Sequence, residues 1–372
     1  MILKPFYVAI DDNQQNKLSF DLKKIISSGQ FVLGEFTERL ESEIRDWVDG
    51  IGVKVVSSGT VALECVFEYL KTIGKKHVGV QSNTNFATVS SIIRAGLTPI
   101  YIDCDEHGQI CLSDLKLKYL KYDIDTVAMV HIGGYVSNKF NEIIKFCNEK
   151  DIKLIEDCAH AHGSKINNKP LGSFGFASIF SFFPTKLING GEGGAICSGN
   201  SDLINFAHKW RNQGKDGTFG NSHFILGGSY RMPEMNCALA LSYYGILPQE
   251  IEKRSNYVKH LKEISKYNYI KDPTEFMNEC SFYKLILRFD SKLGSKIEED
   301  LKEKNIFCGG AVYRTACHDQ PVFIDHQLGA DDLPNTKRFC KYHFCPPLHG
   351  GLKMEEIIFL ANELDQVYEN KS

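Results

Sequence analysis

The chain is expected to fold as an α/β protein around a doubly wound, mainly parallel sheet, and two observations carry that expectation. Short apolar, β-branched runs recur between about residues 50 and 200 without polar alternation, the mark of strands buried on both faces. Segments with helical spacing separate most of them and supply the crossovers that parallel strands need.

In chain order the strand candidates are HVGVQS (77–82), PIYIDC (99–104), TVAMVHI (126–132), KLIEDC (153–158), ASIFSFF (177–183) and GGAICS (193–198). TVALECVFEYLKTI (60–73) and NEIIKFCNEKD (141–151) have the periodicity of helices between them. The texture changes after about residue 235. MNCALALSYYGIL and PQEIEKRSNYVKHLKEISKY read as long helices. A strand at FYKLILRF (282–289), a helix near 295–304 and a terminal amphipathic helix at 354–369 follow. Two domains are therefore expected: an N-terminal arm with a large domain over residues 1–245, and a smaller α+β domain over 246–372.

Composition removes several function classes. A formal charge of −3 without a basic stripe argues against nucleic-acid binding. No apolar run approaches the length of a membrane span, and the first fifteen residues lack the apolar core of a signal peptide. The twelve cysteines include no C-x-x-C pair, which fits reduced thiols in a cytoplasmic protein.

Ligands of open α/β sheets bind beyond the carboxyl ends of strands, and several polar residues fall there. Ser58, Gly59 and Thr60, in SSGT (57–60), open a helix after the run VKVV. Free amides at such a helix start suit a phosphate; an ordinary N-cap beside a glycine turn explains the same residues. Glu156 and Asp157 close an apolar run at IEDCAHAH (155–162). Asp157 there could serve as a base, a metal ligand or the partner of a protonated ring nitrogen. Asp157, Cys158, His160 and His162 raise a zinc reading, but two histidines two apart leave no clear third ligand, and no metal is expected.

Lys186 follows the run SIFSFFPT and precedes NGGEGG. Those glycines have neither the P-loop order nor the G-x-G-x-x-G spacing of a dinucleotide fold. A lysine so placed is either a surface charge or a desolvated amine fit for Schiff-base chemistry. Ser181, five residues earlier, adds a hydroxyl on the same strand-loop unit. Together, Asp157, Ser181, Lys186 and the helix start at Gly59 meet the requirements of a pyridoxal phosphate site. That cofactor needs a lysine for its aldehyde, a carboxylate for its pyridinium nitrogen, and amides with hydroxyls for its phosphate.

These segments resemble the DegT/DnrJ/StrS group of sugar aminotransferases, whose fold is the aspartate aminotransferase-like fold-type I. SGQFVLGEFTERLESEI (28–44), SSGTVAL, NTNFATVSSIIRAGLTPIYIDCD, IEDCAHAHGS, GSFGFASIFSFFPTKLINGGEGGAICS and GGSYRMPEMNCALAL follow the family's order and spacing. VYRTACHDQPVF (312–323) and CPPLHGGLKMEEI (345–357) are similar to its small-domain motifs.

The resemblance implies a catalytic set of Lys186 as cofactor lysine, Asp157 at the ring nitrogen, and His160 where the family usually has glutamine near the ring hydroxyl. Ser58, Gly59, Thr60 and Ser181 would hold the phosphate. Ser229 stands where the family commonly has an asparagine that reaches the neighbouring subunit's phosphate. Asn85 occupies the usual place of the ring-stacking aromatic and Phe86 comes one later, so both are cofactor-binding candidates. The resemblance further implies a homodimer with interface active sites, to which Ser229 and Arg231 would be presented. Glutamate or glutamine would be the amino donor and a keto-sugar the acceptor, nucleotide-linked in most of the family. Tyr313 and His318 are candidate acceptor contacts, or simply packing between domains. A His in the glutamine position also resembles the branch making aminated cyclitols and aminohydroxybenzoate, so a non-nucleotide ketone (a cyclitol or a small phosphorylated ketone) stays open, as does a cofactor-binding regulator without turnover.

Overall fold

The computed structural model describes residues 1–7, 10–217, 221–267, 279–288, 294–309 and 312–370. Two helices open the chain, α1 (Asp12–Ser28) and α2 (Glu35–Trp47). Asp11 caps α1 through a reciprocal pair with Gln14, and Gly29 ends it with φ +68°. Strand–helix alternation follows: β1 (Gly52–Val56), α3 (Gly59–Thr72), β2 (His77–Gln81), α4 (Phe86–Arg94), β3 (Thr98–Ile102), α5 (Leu112–Tyr122), β4 (Thr126–Val130), α6 (Phe140–Glu149) and β5 (Lys153–Asp157). A two-strand hairpin, β6 (Lys165–Ile166) and β7 (Lys169–Pro170), precedes β8 (Ala177–Ser181), β9 (Gly194–Ser198) and α7 (Ser201–Trp210).

The seven sheet strands lie in the order β1-β9-β8-β5-β4-β2-β3. All neighbours pair in parallel except β9, which runs antiparallel to both β8 and β1. The sheet is thus mainly parallel, with each expected strand present. Successive residues of one strand serve opposite faces. Val127 and Met129 of β4 join a cluster with α2, α5 and α6, while Ala128 joins one with α3, α4 and α7. Cover on both faces is why the strands read as unbroken apolar runs.

Beyond the sheet come α8 (Glu234–Tyr244), α9 (Leu247–Ile264), β10 (Leu287–Arg288), α10 (Gly294–Glu303), α11 (Pro334–Tyr342), β11 (His343–Phe344) and α12 (Met354–Glu369). The strand expected over 282–289, whose residue 289 lies outside the described residues, shortens to β10. Some apolar contacts cross residue 245. Leu247 and Ile251 belong to the first cluster, and Cys317, Phe323 and Leu333 to the second. A third cluster unites Leu3 with Val258, Leu301, Phe344 and Leu360. Leu3 reaches it by bridging to Ile306.

One close approach locks the sheet to the start of α3. A Cβ on Gly194 would lie 2.5 Å from the Ser58 carbonyl carbon and 2.6 Å from the Gly59 nitrogen, both backbone atoms. Gly194→Ala is expected to push the α3 start off the sheet, lowering stability by roughly 1–3 kcal/mol. Urea unfolding checks this, and an unchanged midpoint would contradict it.

Candidate active site

The carboxyl ends of β4, β5 and β8 and the N-terminus of α3 enclose a cavity of about 580 Å³. Its walls include Ser58, Gly59, Thr60, Asp157, His160, Ser181 and Lys186, and on further elements Asn85, Thr88 and Tyr313. Residues from six separate chain segments therefore converge where open α/β sheets place their ligands.

Asp157 ends β5 and is buried. Its Oδ2 accepts from Thr88 Oγ1 at 3.0 Å and its Oδ1 from the Ala159 amide at 3.1 Å. Burial raises its pKa; the Ala159 amide, the Thr88 hydroxyl and the nearby Lys186 charge oppose that rise. Among the described residues no cation lies in ion-pair contact with it. A carboxylate in that state favours a cationic ligand strongly.

Lys186 sits in the turn after β8, its amide bonded to the Phe183 carbonyl. Its side chain is half-buried, and its Nζ lies 4.6 Å from the centroid of the Tyr283 ring. Burial lowers its pKa to about 8, with Asp157 pulling upward and Lys284 pushing further down. Its amine is thus partly neutral near physiological pH, the form a nucleophile requires.

His160 is buried and stacks on Tyr283 at 4.1 Å. Its Nδ1 lies 3.3 Å from the Gly133 amide. An amide only donates, so Nδ1 carries the lone pair and Nε2 carries the proton. Burial holds the ring neutral, well below its ordinary pKa. His162 donates from Nε2 to the Ser181 carbonyl at 2.9 Å and so steadies the end of β8.

At the α3 start, Ser58 Oγ accepts from the Val61 amide at 3.2 Å. The first intrahelical bond runs from Ala62 to the Ser58 carbonyl. Gly59 and Thr60 amides thus have no intrahelical acceptor, as at any helix start. A Cβ on Gly59 would lie 2.8 Å from Ser181 Cβ, so glycine there lets the Ser181 hydroxyl approach those amides.

The remaining candidates divide. Asn85 lines the cavity; its Oδ1 caps α4 through the Ala87 amide at 2.9 Å, and its side chain also hydrogen-bonds Tyr313. Phe86, expected to bind cofactor, is 54% exposed and lies against Phe323 at 5.4 Å, outside the cavity walls. As the first residue of α4 it turns away from the face that Asn85 presents. His318 is likewise outside, its Nδ1 2.7 Å from Ser82 Oγ, where it packs residues 317–319 onto the end of β2. Ser229 and Arg231 lie off this cavity too and bond each other, Arg231 donating to Ser229 Oγ at 2.6 Å and to Asn212 Oδ1 at 2.7 Å. Thr88 and Tyr283 were not foreseen, because only the fold sets them against Asp157 and Lys186.

Among the described residues, the group with metal-ligand spacing is a different one from that raised by the sequence. His131, Glu156 and Cys158 bring ligand atoms within 4.8 Å of one another. Glu156 is already saturated by the amides of Gly172, Phe174 and Gly175 and by His131 Nε2. The group pins the 172–175 loop under β5.

A half-buried lysine amine and a buried carboxylate facing one cavity at parallel strand ends define a class: α/β enzymes of amine chemistry. Residues 12–365 match the model of the DegT/DnrJ/EryC1/StrS aminotransferase family. The chain belongs to that family, and it is an aminotransferase. It is 30% identical to a UDP-4-amino-4,6-dideoxy-N-acetyl-beta-L-altrosamine transaminase of Campylobacter jejuni, over 97% of this chain and 96% of the relative. A GDP-perosamine synthase of Vibrio cholerae is 30% identical over 63% of this chain and 61% of its own length. Among solved structures, Helicobacter pylori PseC, an aminotransferase involved in the biosynthesis of pseudoaminic acid, shares the fold with a TM-score of 0.90 at 20% identity, with both chains fully covered.

Burial of the Lys186 amine has a measurable consequence. Reductive methylation of Lys186 by formaldehyde and borohydride, followed by mass spectrometry, is expected to reach half its maximal rate near pH 8. Neutral amine reacts and ammonium does not, so the rate rises with pH. A midpoint above pH 10 would show an ordinary surface lysine.

Proposed function

We propose that the chain is a pyridoxal phosphate-dependent aminotransferase that moves an amino group from glutamate or glutamine to a keto-sugar, most often nucleotide-linked. The observation that carries this reading is the convergence of Lys186, Asp157 and the α3 N-terminus on one cavity. Family membership and two relatives named for nucleotide-linked sugars support the acceptor class.

The residues present fit the cofactor. Asp157 is a buried carboxylate in want of a cation, as a pyridinium nitrogen would provide. The Gly59 and Thr60 amides and the Ser58, Thr60 and Ser181 hydroxyls form an anion-binding corner at a positive helix end. Lys186 supplies an amine for the aldehyde. When bound, the cofactor supplies an electron sink for charge that develops on the substrate carbon.

The protein's own part is positioning and proton handling. Asp157 holds a proton at the ring nitrogen, oriented by Thr88 and the Ala159 amide. His160, neutral and protonated on Nε2, would have that proton to offer to an oxygen on the ring. Lys186, once free, takes a proton from the substrate carbon and can return it. Asn85 and Tyr313 bound the cavity where an acceptor would enter. Ser229 and Arg231 lie outside this chain's cavity, which suits a homodimer in which each copy offers them to the other. A cytoplasmic enzyme fits the reduced cysteines; no helix among the described residues is long and apolar enough to cross a membrane.

The visible spectrum of the protein loaded with pyridoxal phosphate tests the reading. Glutamate or glutamine should bleach it toward the pyridoxamine form, and a keto-sugar nucleotide should restore it. A panel that also holds cyclitol ketones decides the acceptor class. Lys186→Ala should abolish the glutamate-driven change, and Asp157→Asn should slow it about a hundredfold or more. His160→Gln should stay within about tenfold, since an amide donates to the same oxygen, whereas His160→Leu should lose more. Retained conversion in Lys186→Ala, or none in the wild type, would overturn the assignment.

A further inference from the structure

A second cavity, of about 370 Å³, shares a single wall residue with the first, and that residue is Lys186. The two chambers therefore meet at its side chain. The second is lined on other sides by Tyr283, Lys284, Arg254, Glu250 and His349.

Its electrostatics are lopsided. Arg254 is committed, with Nε donating to Glu250 Oε1 at 2.8 Å and one terminal nitrogen to the Phe282 carbonyl at 3.0 Å. Glu250 also accepts from the Gly350 amide. His349 donates from Nε2 to the Lys4 carbonyl, and burial keeps it neutral. Lys284 has only the Gly309 carbonyl, at 3.3 Å, and no carboxylate in ion-pair contact among the described residues. Burial lowers its pKa, as expected for an amine withdrawn from water without a counter-charge. Arg254 and Glu250 pair with each other, so among the described lining residues Lys186 and Lys284 are the amines without a carboxylate in ion-pair contact.

Lys186 and Lys284 both lie near the Tyr283 ring. Their amines lie 4.6 Å and 5.6 Å from the Tyr283 centroid. A five-carbon dicarboxylic amino acid is long enough to reach from one amine to the other.

We propose that the second chamber binds the side-chain carboxylate of the amino donor on Lys284, with the donor's amine end at Lys186. The inference rests on the transaminase reading and sharpens it: the donor is glutamate, because glutamine would leave the Lys284 charge buried without a partner. Lys284 is thus a specificity residue for the first half-reaction, with no part in binding the keto acceptor.

Two measurements on the full-length protein loaded with pyridoxal phosphate test this. In single-turnover bleaching, wild type should half-saturate with glutamate at least tenfold below glutamine. Lys284→Gln should raise the glutamate value about tenfold or more and leave glutamine little changed, while Lys284→Arg should keep the preference. An unchanged glutamate-to-glutamine ratio in Lys284→Gln overturns the proposal while leaving the transaminase reading intact. In the second measurement, calorimetric titration with unreactive glutarate should show binding to wild type and Lys284→Arg, and at least tenfold weaker binding to Lys284→Gln. Lys284→Met replaces the glutamine variant if that one does not fold. If wild type bleaches with neither donor, the transaminase reading fails and glutarate still decides the site: absent or Lys284-independent binding overturns it. UDP titrated in parallel covers the other source of negative charge. Should UDP binding depend on Lys284 while glutarate binding does not, the lysine serves the acceptor's diphosphate and the proposal fails.

Discussion

The site turns on one costly placement: a carboxylate, Asp157, buried at the end of a parallel strand with no cation in ion-pair contact among the described residues. Burial disfavours its charge, and the Ala159 amide, the Thr88 hydroxyl and the nearby Lys186 charge offset that only in part. Such a group lowers the free energy of whatever cation arrives, because most of the desolvation has already been spent in folding. The sheet makes the placement possible. β5 lies between β4 and β8, so Asp157 has strand neighbours on both sides and helices above and below. A loop could not hold a bare carboxylate in that state; water would reach it.

The same sheet assembles the complementary end. β8 delivers Ser181 and then Lys186 within one turn, while β9 returns antiparallel and presses Gly194 against the Ser58–Gly59 backbone. Negative charge is thus wanted at the α3 start and positive charge at Asp157, with an amine between them. A ligand with a cationic ring and an anionic tail satisfies both ends at once. Either end alone is ambiguous, and the pairing across a single cavity is the feature on which the proposed cofactor reading rests.

What could be read from the chain follows this physics. Asp157, Ser181, Lys186 and the Gly59–Thr60 turn were legible because each stands at the end of an apolar run, and strand ends are where parallel sheets bind ligands. Side-chain direction one residue later was not. Asn85 and Phe86 are neighbours at a helix start, and which of them faces the cavity depends on how α4 docks, with Phe323 supplying the apolar surface that draws Phe86 away. Thr88, Tyr283 and Lys284 left no local signal, since their partners lie far away in sequence. His318 has the look of a functional histidine in its motif, yet its ring nitrogen is engaged by Ser82. The separation of large and small domains was blurred for a similar reason: Leu3 and the 317–333 stretch cross over to pack where their sequence neighbours do not.

Tyr283 stands at the centre of this arrangement. One ring stacks on His160, stands beside both lysine amines, and places its hydroxyl 3.1 Å from Thr185 Oγ1, next to Lys186 in the chain. An aromatic ring tolerates nearby ammonium groups without neutralising them, whereas a carboxylate there would hold Lys186 protonated and unreactive. The neutral spacer thus sets two amines near each other, both with pKa values that burial lowers. A diacid donor fits that pair. Its amine end would meet Lys186, and its acid end would give Lys284 the counter-charge it lacks.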